Sequence, residues 1–176
     1  VDAGLTWGGY DLAEQVGFDG LGKGGVGLVA SGAHVTLVDC SLRENLGEIG
    51  GAFYVQGCRA DRSNDAPCDS SLAAGSSSLT LRTCTSVANS AELNGGLVYA
   101  TIGALVSIER LVSERSSARE GGLVWASQGA EISLGGSTII NSTADVGGTA
   151  FLSDSVAHLR HTALLGGGST HKASMG

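Results

Sequence analysis

The chain has 176 residues with a formal net charge of −7, 15% charged and 42% hydrophobic residues, 29 glycines and a single proline. This balance excludes a nucleic-acid binder, since no basic stripe exists to neutralise phosphates, and it argues equally against an anionic membrane surface. The hydrophobic content excludes a disordered chain, and no run approaches the roughly 18 to 20 apolar residues of a transmembrane helix.

Residues 1–23, with Trp7-Gly8-Gly9-Tyr10 at their centre, read as a degenerate first turn or a cap. Beyond them a Gly-Gly pair recurs, starting at Gly24, Gly50, Gly95, Gly121 and Gly147. The steps are 26, 45, 26 and 26 residues, the long step being one 26-residue unit plus a 19-residue insertion. A fixed period of this size marks a solenoid. Each unit carries two short apolar runs with period-two alternation, parted by Gly, Ser, Asn and Ala, which predicts strands and turns. Val35 and Leu37, Leu79 and Leu81, Val106 and Ile108, Ile132 and Leu134, and Ala157 and Leu159 are equivalent positions predicted to face inward. Thr36, Thr80, Ser107, Ser133 and His158 lie between them and are predicted to face water. A sandwich has no reason to repeat at constant spacing, whereas a coil with one unit per turn does. The expected fold is all-β: a right-handed single-stranded parallel β-helix of about five to six turns of 26 residues. It forms one domain over residues 1–165, with an insertion at 57–77 and a flexible tail at 166–176. Neither end reads as an amphipathic cap, so the chain is expected to be a piece of a longer coil.

The strand after each pair brings Leu28, Tyr54, Tyr99, Trp125 and Phe151 into one column. Alternation puts Val26, Ala52, Leu97, Leu123 and Thr149 on the same face. The opposite face, with Phe53, Val98, Val124 and Ala150 and then Val55, Ala100, Ala126 and Leu152, is apolar too. Two readings stay open. Either the small Val and Ala side chains fill the interior and Tyr54, Tyr99, Trp125 and Phe151 form an outer binding ladder, or the aromatics fill the core.

Cys40 and Cys84 lie five residues after Val35 and Leu79, at one position of consecutive turns. Stacked strands put such Cα atoms about 4.8 Å apart, within disulfide reach, although a reduced buried pair is the alternative. Cys58 and Cys68 bracket a polar loop within the insertion and form a natural second pair. Four cysteines that pair off in this way indicate an oxidising compartment. Asp61, Asn64, Asp65 and Asp69 make the same loop acidic, but without calcium-loop spacing. No zinc spacing occurs. Asn141-Ser142-Thr143 is a glycosylation sequon. Asp39, Arg82, Glu109, Arg110 and His158 are what a solvated strand face carries, and His34, His158, His161 and His171 show neither metal nor triad spacing. No catalytic residue, metal or cofactor is expected.

Gly50-Gly51-Ala52-Phe53, and more loosely Gly95-Gly96-Leu97-Val98, Gly121-Gly122-Leu123-Val124 and Gly147-Gly148-Thr149-Ala150, form one recurring segment. Leu42-Arg43-Glu44-Asn45, Ser86-Val87-Ala88-Asn89 and Thr138-Ile139-Ile140-Asn141 form a second, with Leu111-Val112-Ser113-Glu114 in the remaining turn. Over residues 24 to about 165 the chain resembles the GGA-hydrophobic and F-x-x-N repeats of the polymorphic outer membrane proteins, which are pectin-lyase-like β-helices. The Phe is missing each time. The resemblance implies a structural, adhesive or assembly module of a larger secreted or cell-surface protein. Its expected partners are other protein chains, further turns of the same protein, or carbohydrate, with no nucleic acid and no membrane insertion. A carbohydrate-binding or carbohydrate-active β-helix is the alternative.

Overall fold

A computed structural model describes residues 6–7, 23–57 and 76–169. Cys58, Cys68 and the acidic loop between them, Tyr10, and His171 lie outside the described residues. After β1 (Thr6–Trp7) the chain winds through five turns of four strands. The first turn holds β2 (Gly27–Val29), β3 (His34–Val38), β4 (Ser41–Arg43) and β5 (Leu46–Ile49). The second holds β6 (Phe53–Gln56), β7 (Ser78–Arg82), β8 (Thr85–Val87) and β9 (Ser90–Asn94). The third holds β10 (Val98–Thr101), β11 (Leu105–Glu109), β12 (Val112–Glu114) and β13 (Ser117–Glu120). The fourth holds β14 (Val124–Ser127), β15 (Glu131–Gly135), β16 (Thr138–Ile140) and β17 (Thr143–Val146), and the fifth holds β18 (Ala150–Ser153), β19 (Val156–Arg160), β20 (Ala163–Leu165) and β21 (Gly168–Ser169).

Each strand pairs in parallel with its counterpart one turn away, so the coil is walled by four sheets. The fold is thus the expected parallel β-helix, with four strands per turn where alternation revealed two. The two missed strands, typified by β4 and β5, are two to five residues long and too mixed in polarity for a period-two signal. At the first turn β1 runs antiparallel along the outer edge of β3, with Thr6 opposite Thr36 and Trp7 opposite Val35.

The inward columns are those expected. Leu79, Leu81, Val106, Ile108, Ile132 and Leu134 from one wall meet Val55, Val98, Ala100, Val124 and Ala126 from another in a single buried core. Alternation fails at one place. Ala52, Leu97 and Leu123, expected beside the aromatics, are fully buried and belong to the core with Phe53, Val98 and Val124. The cause is a corner in which one carbonyl accepts two successive amides. Leu97 O receives Ala52 N at 3.0 Å and Phe53 N at 2.9 Å, and Leu123 O receives Leu97 N and Val98 N at 2.8 and 3.0 Å. Such a corner gives two adjacent residues to the interior and restarts the alternation after it.

The same corner explains the Gly-Gly pairs. The first glycine has φ of +70° at Gly50 and +65° at Gly95, the left-handed region where a side chain is strained. The second sits under the next turn. A Cβ on Gly96 would overlap the carbonyl oxygen of Gly122 and come within 2.6 Å of that of Ser117. Another corner is polar inside. Asn89 is fully buried, donates to Leu42 O at 2.9 Å and Ser86 Oγ at 2.8 Å, and accepts from the backbone and side-chain amides of Asn45 at 3.0 and 2.7 Å. The strand register places Ser116 and Ser142 in this column. The third and fourth turns therefore run Ser113 to Ser116 and Ile139 to Ser142, and Asn141, aligned with Asn45 and Asn89 in the sequence reading, is one residue off the column on the outside.

Gly96→Ala is expected to lose more than about 3 kcal/mol in urea unfolding, because backbone of the following turn must shift. Gly135→Ala, whose Cβ would meet nothing within 4 Å, is expected to be neutral or stabilising by up to about 1 kcal/mol.

Candidate functional site

The ladder sheet, β2-β6-β10-β14-β18, turns Val98, Ala100, Val124 and Ala126 inward and Tyr54, Tyr99, Trp125 and Phe151 to the opposite face, where Tyr54 is buried and the other three are partly exposed. In-register pairing sets Tyr54 beside Tyr99, Tyr99 beside Trp125, and Trp125 beside Phe151, with Leu28 next to Tyr54. The rings stack almost parallel, with centroids 4.9, 4.4 and 6.1 Å apart and planes inclined by 11°, 5° and 8°. Such a stack is worth about 0.5–1.5 kcal/mol per pair beyond area burial. It also determines what remains available. The inner rings, Tyr99 and Trp125, have both faces against neighbouring rings, so they offer edges rather than faces.

A polar fence lines one side of the ladder. The residue before each glycine pair stands there: Lys23 places its Nζ 5.1 Å from the Tyr54 ring centre, and Glu120 Oε2 accepts from Trp125 Nε1 at 3.0 Å and from Asn94 Nδ2 at 2.9 Å. Sequence reading missed these residues, although their signal was a constant one, five places before each ladder position. Beyond the ladder's other side Thr101 Oγ1 and Ser127 Oγ lie 3.1 Å apart, both buried. Burial pushes the Tyr54 phenol up to about 12, with the charge of Tyr99 adding to the effect. Burial raises the Tyr99 phenol as well, and hydrogen bonds with Ser127 and Thr101 pull it partly back.

Cys40 and Cys84 form a disulfide between consecutive turns, with Cα atoms 4.6 Å apart. A bond of this kind persists in oxidising compartments. No helix among the described residues is long and apolar enough to cross a membrane. Asn141 is exposed at an outer corner.

The charged residues of the β3-type wall come together only in pairs. Arg82 Nε lies 3.3 Å from Glu109 Oε2 and His158 Nε2 3.6 Å from Glu131 Oε1, all about half exposed. His34 Nδ1 lies 2.8 Å from Ser78 Oγ. Asp39 and Arg110 sit at left-handed corners of the first and third turns, their amides donating to Arg82 O at 3.0 Å and Gly135 O at 2.8 Å. No group of three His, Cys, Asp or Glu side chains able to hold a metal occurs among the described residues. A shallow groove of about 320 Å³ crosses this wall, lined by Ser78, Thr80, Leu105, Ser107, Glu131 and Ser133.

Trp125→Ala is expected to cost about 2–3 kcal/mol by opening the stack, and Trp125→Phe about 1 kcal/mol by losing only the bond to Glu120, both read from thermal unfolding. A second prediction concerns alkaline pH. The folded phenol of Tyr54 holds its proton more tightly than the unfolded one, so its contribution to stability is intact below pH 10 and is lost between about 10 and 12. Absorbance titration is expected to show a late-ionising tyrosine, and Tyr54→Phe is expected to remove both that step and the matching part of the alkaline decline.

Comparison of the chain with protein-family models, with curated proteins and with solved structures gave no match.

Proposed function

We propose that this chain is a structural and assembly module of a larger secreted or cell-surface β-helix protein, and that it joins its neighbour through the exposed apolar columns of its fifth turn. The observation that carries this reading is the fate of the inward columns. Leu81, Ile108 and Leu134 are at most 5% exposed, but Leu159, next in the column, is 56% exposed. Ile139 gives way in the same manner to Leu164 at 52%, and Ala126 to Leu152 at 43%. Phe151 ends the ring stack one turn beyond Trp125. Three apolar columns and one aromatic column stop together in register, and the complementary occupant is a further β-helix turn presenting the same columns, from the same protein or from a second copy. Contiguous exposed apolar surface of this kind marks an interface. The Cys40–Cys84 disulfide supports a secretory, extracellular setting. Adhesive use of the outer wall fits the same reading.

A carbohydrate-binding role has one specific support, the shallow and mainly apolar groove over Thr80, Ser107 and Ser133 with Leu105 and Glu131 beside it. The ladder supports it less, since sugar rings stack on free aromatic faces and the two inner rings have none.

Light scattering across a concentration series tests the assembly reading. The chain is expected to self-associate as concentration rises, and Leu159→Asp with Leu164→Asp is expected to leave it monomeric with its β-sheet circular dichroism retained. A chain that stays monomeric throughout the series, and whose behaviour the two substitutions leave unchanged, overturns it.

A further inference from the structure

We infer that Asn141 is an N-glycosylation site and that the glycan marks the side of the coil kept free of contacts. Among the chain's five asparagines only Asn141 heads an Asn-x-Ser/Thr triplet, with Thr143 in the third place. The structure sorts these three residues in a way the triplet alone does not require. Asn141 and Thr143 are exposed, while Ser142 between them is buried in the interior polar column. The attachment atom and the hydroxyl that defines the triplet thus lie on the outside.

The corner itself does not demand asparagine. Equivalent positions one turn apart carry Glu44, Ala88, Arg115 and Asn141 at φ of 54°, 53°, 56° and 51°, and each donates its amide to the carbonyl of the following turn. Four different side chains make the same turn, so Asn141 is not explained by backbone geometry alone. The next position in the column is Gly166, and a Cβ there would collide with Asn141 Oδ1. Glycine at that point leaves the Asn141 amide room to project.

The location agrees with the assembly reading, on whose secretory setting this inference rests. In every turn the chain passes from the ladder strand to the β3-type, β4-type and β5-type strands, and Asn141 lies between β16 and β17. That corner does not adjoin the ladder sheet. A hydrophilic chain of sugars there screens one flank of the coil and leaves the ladder accessible. The transfer is the usual one for this linkage. Asn141 Nδ2 loses a proton and forms a bond to the anomeric carbon of an oligosaccharide, whose bond to the diphosphate of a lipid carrier breaks.

The test is secretion of the full chain, behind an added signal peptide, from a eukaryotic host, with intact mass measured before and after peptide-N-glycosidase treatment of medium and cell lysate. A glycan is expected, its removal leaving aspartate at position 141. Thr143→Val is expected to abolish it, and Asn141→Gly, which suits the left-handed corner, is expected to abolish it with the fold intact by circular dichroism. Disulfide-bonded chain carrying unmodified Asn141 overturns the inference. Because entry into the secretory pathway is imposed, that outcome counts against the site and not against the proposed setting. A glycan that survives Thr143→Val also overturns it, since it then sits elsewhere.

Discussion

In-register stacking of each turn on the last, at the spacing of parallel strands, is the constraint from which the rest of this molecule follows. It admits one backbone path, repeated, and whatever a corner requires it requires in every turn. At the sharpest corner the path leaves no room for a Cβ between consecutive turns, which is why two glycines stand there each time. Other corners take residues with φ near +50°, from Asp39 and Thr83 to Arg115 and Asn141, and hold them by hydrogen bonds to the neighbouring turn. Local strain of about 1 kcal/mol or more at each such residue is thus offset by contacts between turns.

The division of labour between the two faces of the ladder sheet comes from the same geometry. Inside, the wall opposes others across a narrow space filled mainly by Val and Ala, with the Phe53 ring among them. On the outer face, large rings gain by lying on the equivalent ring one turn away. The repeat turns four separate aromatic residues into one continuous surface element, and Lys23, Asn94 and Glu120 supply polar partners along its flank.

Much of this was legible in the residues. The spacing of the glycine pairs revealed the coil, and strict alternation in β3, β7, β11 and β15 identified their inward residues, because those strands are five residues long and flat. The Cys40 and Cys84 pairing followed from equal offsets. Alternation misassigned Leu97 and Leu123 because a carbonyl shared by two amides breaks the period, which no apolar pattern records. It misplaced Asn141 because the polar interior column changes from Asn to Ser in the third turn, removing the only marker of register. The polar fence was overlooked since Lys23, Ile49, Asn94, Glu120 and Val146 share a position without sharing chemistry.

The disulfide gives this otherwise uniform coil a direction. It fastens the first turn to the second, with β1 lying along the outer edge of the first, whereas among the described residues the fifth turn holds the fourth through backbone pairing and half-covered side chains. In a chain where each turn contacts only its neighbours, disorder spreads as a front from the weakest boundary. Among the described turns the boundary between the first and the second is thus the one held by a covalent bond, and that stapled pair is a template on which later turns can be relaid.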